Sequence, residues 1–324
     1  MKALRFERMG DLSALHIEEL PVPIPASGEV LVKVHAASIN PSDVKNVEGK
    51  MEGTTLPRTP GRDFAGTVVN GPAGLSGQDV WAAGGDIGFT RDGSHAEYIV
   101  IPAGGARLKP ASLSMTEAAS VGVNYITAYL GLVETAHVKR GEIVLVTGAK
   151  GGVGSSVAKI ANASGARVIG VDREAMGAGK ARELGIELSL SGKSQTLQVQ
   201  VNEFTADKGV DVVFDCVGGP LFEIGLNLLG MKGRQVNITS AGGRRVSFDL
   251  VNFYHRQLSL YGVDSRPLDT VASGAILESL KSLFEQKVLT APSIARTCRL
   301  EEAVDAYREV GSGKASGKVV IVFE

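Results

Sequence analysis

The alternation of hydrophobic and polar positions changes character once along this chain. Before about residue 120 the apolar runs are short, and 30–34, 64–69 and 95–100 each read as a strand. Pro21, Pro23, Pro25, Pro41, Pro57 and Pro60 punctuate that stretch. A proline fixes φ and removes a backbone donor, so prolines this dense argue against helices. Beyond it, continuous apolar runs at 142–147, 167–172, 210–215, 234–238 and 258–262 take over, with helical spacing between them. In 153–164, for example, Val153, Val157, Ile160 and Ala161 share one face. Fully apolar strands alternating with helices predict a parallel sheet covered on both sides. From about 269 the pattern predicts helices at 276–286 and 301–310 and a last strand at 318–323, expected to return to the first domain.

The expected fold class is therefore α/β, a doubly wound parallel sheet joined to a smaller β-rich domain. The β-rich domain is assigned to 1–120 with 266–324, and the parallel-sheet domain to 121–265. A chain of 324 residues suits two domains.

Composition narrows the partners. Hydrophobic residues at 44% allow a full core, while a net charge of -1 offers no basic field for nucleic acid or an anionic membrane. Cys216 and Cys298 are too few for a disulfide framework or a cysteine-rich zinc site. The first residues are charged where a signal peptide is apolar, and no run approaches the roughly 20 apolar residues of a membrane span. A cytoplasmic protein acting on a small molecule is expected.

The chemistry is concentrated in Gly148, Gly151, Gly152, Val153 and Gly154, between an apolar strand and an amphipathic helix. Glycines there permit a tight turn and the approach of a pyrophosphate, and the helix start presents unpaired N–H groups to it. The next strand ends in Asp172, whose carboxylate suits the ribose hydroxyls of a dinucleotide.

Several segments resemble the medium-chain dehydrogenase/reductase superfamily, in its zinc-free quinone oxidoreductase branch. They run from Ala36 through Asn40-Pro41-Ser42-Asp43, Pro60-Gly61-Arg62-Asp63, Gly93-Ser94-His95, Thr127-Ala128-Tyr129 and the glycine loop to Asp215-Cys216-Val217-Gly218-Gly219. The resemblance implies a GroES-like catalytic domain around a Rossmann domain, an active site in the cleft, an NAD(P)H cofactor, and a homodimer paired near 258–262. It also implies cofactor contacts from Asn40, Thr127, Cys216, Gly218 and Val263. Cys216 equally suits simple packing, and Asn40 a turn before proline. The superfamily's zinc enzymes place Cys, His and Cys where this chain has Asn40, Arg62 and Val123, so no catalytic metal is expected.

Without a metal, a donor must meet the negative charge that develops on the acceptor's oxygen. Lys45, Arg62 and Tyr125 are the candidates. Each has a plainer alternative: a solvated surface lysine, an arginine in a salt bridge, and a tyrosine packed in the core. Asp172 would repel a 2′-phosphate and argues for NADH. The resemblance implies NADPH, although Gly177 and Gly192 stand where relatives carry a phosphate-binding Lys and Tyr, and Arg173 could still pair with a phosphate. The leading expectation is reduction of a quinone or an α,β-unsaturated carbonyl. The alternatives are reduction of an enoyl thioester, suggested by Gly262-Val263-Asp264-Ser265, and a cofactor-binding protein with little catalysis.

Overall fold

A computed structural model describes residues 1–193 and 195–324. Its contacts divide the chain into two compact units, Met1–Ile126 with Ser265–Glu324, and Thr127–Asp264.

The first unit is built on the long strand Glu29–Ile39. It pairs antiparallel with Asp63–Asn70, with Tyr98–Pro102 and with the C-terminal strand Lys318–Val322. The tail thus closes the domain that the first residues open. Val319 and Ile321 enter one core with Leu4, Ile39, Val44 and Tyr307, and this burial repays the ordering of so distant a segment. Val30, Val32, Phe64, Val80 and Ile101 form a second core.

Two differences from the sequence pattern have local causes. Pro41 starts a short helix, Pro41–Val47, because at the first helical position its missing N–H has no intrahelical partner to lose. The strand expected at 95–100 is Tyr98–Pro102, since His95 is held instead by the carbonyl of Pro60 through its backbone N–H.

The second unit is a six-stranded, wholly parallel sheet. Across it lie Leu188–Ser191, Arg167–Asp172, Ile143–Thr147, Val210–Asp215, Leu229–Asn237 and Ser259–Gly262. The order reverses direction between Ile143–Thr147 and Val210–Asp215. In such sheets that switch point is where strand ends and helix starts leave room for a ligand. Leu145, Ile169, Val213 and Leu226 pack together in the core of this unit. The strand expected at 234–238 begins earlier, at Leu229, which pairs with Val210 before the register shifts across 230–233, a stretch holding Gly230 and Gly233, and pairing resumes at Arg234. No helix of the described residues is long and apolar enough to cross a membrane.

Candidate active site

In the parallel-sheet unit the glycine loop is shaped for close approach. Gly148 sits at φ +64° and donates its N–H to the Val171 carbonyl at 2.8 Å. A Cβ on Gly154 would lie 2.2 Å from the Gly148 carbonyl oxygen, so only glycine lets the helix Gly152–Ala163 start this near the turn. Gly151 caps that helix and offers no side chain to its first amides. Those amides keep their N–H groups for an anion.

Asp172 is tied to the same loop. Its carboxylate accepts the N–H of Lys150 and that of Arg173, each at 2.9 Å. Every carboxylate oxygen keeps a further lone pair for a hydroxyl donor. Arg173 is exposed beside it. Gly177 caps the helix Ala178–Glu183, and Gly192 donates to the Asp172 carbonyl at 2.7 Å.

A buried pair closes the switch point. Thr147 donates its hydroxyl to Asp215 at 2.6 Å, and the same carboxylate oxygen accepts the N–H groups of Val217 and Gly218. Gly218 adopts φ +71°, and half-buried Val263 donates its N–H to Asn237. Burial pushes the Cys216 thiol well above its ordinary range, and the charges of Asp215 and Asp172 push the same way. Cys216 is therefore a poor nucleophile. Thr127 is buried in this unit.

The other unit holds a buried polar network. Asn40 is 2% exposed; its Nδ2 donates to Asp63 at 2.9 Å and its Oδ1 accepts from Lys318 at 2.6 Å. Asp63 also accepts the Ser38 hydroxyl at 3.0 Å and the Val123 N–H at 2.9 Å, with the Lys318 ammonium 3.8 Å away. The backbone N–H of Asn40 goes to Asp43 at 2.7 Å. Burial raises the Asp43 carboxyl to about 7, helped by the charge of Asp63 and opposed by the Asn40 N–H, Arg62 and Lys318.

His95 is neutral here. Its Nε2 faces the Ser38 carbonyl at 3.2 Å, an acceptor, so Nε2 carries the proton; Nδ1 then accepts from the Tyr307 hydroxyl at 2.8 Å. Burial holds the ring's pKa down to about 4. Asp43, Asp63 and His95 thus act inside the fold, with no sign of a proton relay to solvent.

The three candidate donors fare differently. Tyr125 is fully buried and gives its hydroxyl to the Thr290 carbonyl at 2.6 Å, with Phe284 edge-on at 5.0 Å. Lys45 is exposed on the short helix Pro41–Val47. Arg62 is 4% exposed, donates Nε to the Gly84 carbonyl at 3.0 Å, and stands 5.8 Å from the Phe89 ring centroid. Its two terminal nitrogens have no hydrogen-bond or salt-bridge partner among the described residues. Nor do they belong with sealed orphan atoms such as Trp81 Nε1, so they remain accessible.

Sequence reasoning did not single out Lys318. A lysine opening the otherwise apolar strand Lys318–Val322 was its one signal. The Thr147–Asp215 pair was also missed, although each residue ends its strand.

Comparison with known proteins agrees with both units. The model of an alcohol dehydrogenase GroES-like domain matches residues 26–111, and that of a zinc-binding dehydrogenase matches 152–275. A zinc-type alcohol dehydrogenase-like protein of Schizosaccharomyces pombe is 39% identical, over 99% of this chain and 97% of its own length. The chain belongs to the medium-chain dehydrogenase/reductase superfamily. Within that superfamily, a quinone oxidoreductase of Sus scrofa is 28% identical over 99% of this chain and 98% of its own. The solved structure of an NAD-dependent alcohol dehydrogenase superposes with a TM-score of 0.89 at 28% identity, covering 100% of both chains.

Zinc, which the superfamily's alcohol dehydrogenases use, does not fit the side chains present. Asn40 has both ends of its amide engaged, Arg62 is a cation, and Val123 has no donor atom. No group of three His, Cys, Asp or Glu among the described residues could hold a metal ion. A nicotinamide dinucleotide does fit, because the helix start, capped by Gly151 with no side chain, leaves its first amides for a phosphate, and Asp172 stands at the end of the next strand.

Proposed function

We propose that this chain is a metal-independent NAD(P)H-dependent reductase of quinones or of C=C bonds conjugated to a carbonyl. The observation that carries the reading is Arg62, a buried guanidinium with accessible, unpartnered N–H groups at a position where zinc enzymes of the superfamily hold a ligand. When bound, the reduced nicotinamide supplies a hydride. The amides at the start of Gly152–Ala163 receive the pyrophosphate, and Asp172 receives the ribose hydroxyls. Arg62 donates to the acceptor's oxygen as negative charge grows there. Asn40, fixed by Asp63 and Lys318, is a positioning residue with one Nδ2 hydrogen left to give. Tyr125, spent on Thr290, has no part in this reading. The direct test is oxidation of NADH or NADPH in the presence of a quinone and of an enone; tight cofactor binding with no turnover of either acceptor would overturn it.

NADH is slightly favoured, because a 2′-phosphate would meet the Asp172 carboxylate. Asp172→Ser is expected to shift the ratio of kcat/KM for NADPH over NADH upward by about 10-fold or more, leaving Arg173 and Lys150 as the nearby cations. Steady-state kinetics with one quinone check this, and a wild-type preference of a hundredfold for NADPH would end the assignment to NADH.

A homodimer completes the proposal. Ser259–Gly262 is an unpaired sheet edge with Leu260 and Tyr261 exposed, and the helix Leu250–His255 buries no residue. An edge beside so much apolar surface invites a second copy. Sedimentation is expected to give a dimer for the wild type and a monomer for a Leu260→Lys, Tyr261→Lys double variant; a monomeric wild type rejects it.

A further inference from the structure

The state of Arg62 says more about the acceptor than its activating carbonyl alone. The Arg62 side chain is almost wholly withdrawn from bulk water, with only its terminal nitrogens still reachable, yet no carboxylate of the described residues forms an ion pair with it. Asp43 acts on it only through space. A buried, uncompensated charge is costly, and a neutral ketone oxygen would leave it uncompensated. The anchoring also selects an orientation. Nε is held on the Gly84 carbonyl and the carbon centre lies by the Phe89 ring, which leaves the two terminal nitrogens together as a planar fork. Such a fork matches two coplanar oxygens carrying a formal negative charge.

Resting on the reductase reading, we propose that the preferred acceptor is a 2-oxo-3-enoate, an enone bearing a carboxylate next to its activating carbonyl, and that Arg62 grips one carboxylate oxygen and the keto oxygen together. A simple enoate would satisfy the charge but not the chemistry, because a carboxylate alone activates its double bond poorly toward hydride. In the 2-oxo-3-enoate, C4 gains the hydride given up by the reduced cofactor. The C3–C4 π pair moves into a C2–C3 double bond, and its charge falls on the keto oxygen under Arg62. C3 then takes a proton from water, leaving a saturated 2-oxo acid and the oxidised cofactor.

The test pairs 2-oxo-4-phenylbut-3-enoate with the neutral 4-phenylbut-3-en-2-one, each with NADH and NADPH. The wild type is expected to favour the acid in kcat/KM by about 100-fold, the size of a charge-assisted bidentate contact. Arg62→Met is expected to bring the ratio to about one and Arg62→Lys to an intermediate value, since a lysine keeps charge but loses the fork. Binding is read separately by calorimetry with saturated 2-oxo-4-phenylbutanoate, which should bind the wild type and not Arg62→Met; melting curves show that each variant is folded. Equal kcat/KM for acid and ketone, or binding that survives in both Arg62 variants, overturns the inference. Turnover of quinones and neutral enones with no response to the acid would sink this inference alone. Arg62-dependent binding of the saturated acid with no turnover of any acceptor would sink the reductase reading and keep the anion site.

Discussion

Arg62→Met is expected to lower kcat for a quinone or neutral enone by about 10²–10³, the cost of losing one preorganised donor to a developing oxyanion. The change keeps an unbranched side chain with an apolar stem while deleting every side-chain N–H. Affinity for NAD(P)H, read by fluorescence titration, is expected to stay within about 2-fold, because the amides and Asp172 proposed to receive the pyrophosphate and ribose lie in Thr127–Asp264 and Arg62 does not. A variant with wild-type kcat would remove Arg62 from the chemistry and return Lys45 as the next donor to replace.

Asp63→Asn is expected to be the most damaging substitution for stability, costing about 3–5 kcal/mol, because it leaves the buried Lys318 ammonium without its counter-charge. Lys318→Met should cost less. Asp63 would then still accept from Ser38, Asn40 and Val123, three donors that hold a carboxylate charge without a cation. The sign of the pH dependence follows from burial, which lowers the Lys318 pKa from its ordinary value. Between the lowered folded value and the unfolded one the unfolded chain binds more protons, so stability rises with pH. In Asp63→Asn the lowering is greater, so its denaturation midpoint should recover part of the loss between neutral pH and about pH 10, the ordinary range of lysine. Chemical denaturation of both variants across that range checks the prediction; equal midpoints at pH 7 would show that the pair contributes little.

Legibility in the sequence followed the range of the interactions. The glycine loop, its flanking strand and helix, and Asp172 at the next strand end are all contained in 143–172, and local spacing was enough to assign them. The roles around Asn40 were not legible. Its amide is divided between Asp63 and Lys318, partners 23 and 278 residues away, and no local pattern records such a division. The same holds for Tyr125, whose hydroxyl is taken by Thr290, 165 residues on. Short elements were also hidden: the helix Pro41–Val47 lies in a proline-rich stretch where the general argument against helices prevailed over the one position that tolerates proline.

For this protein, the two kinds of domain, the parallel sheet, the glycine-rich turn between strand and helix and the side-chain types at Asn40, Arg62 and Val123 could all be read from the sequence alone. Those properties depend on periodicity, glycine geometry and donor chemistry, which are local. The tertiary structure was needed to show that Tyr125 gives its hydroxyl to Thr290 while Arg62, buried on the Gly84 carbonyl, keeps its terminal N–H groups. Those partners are distant in sequence, and a hydrogen bond once given inside the fold is no longer available to a substrate.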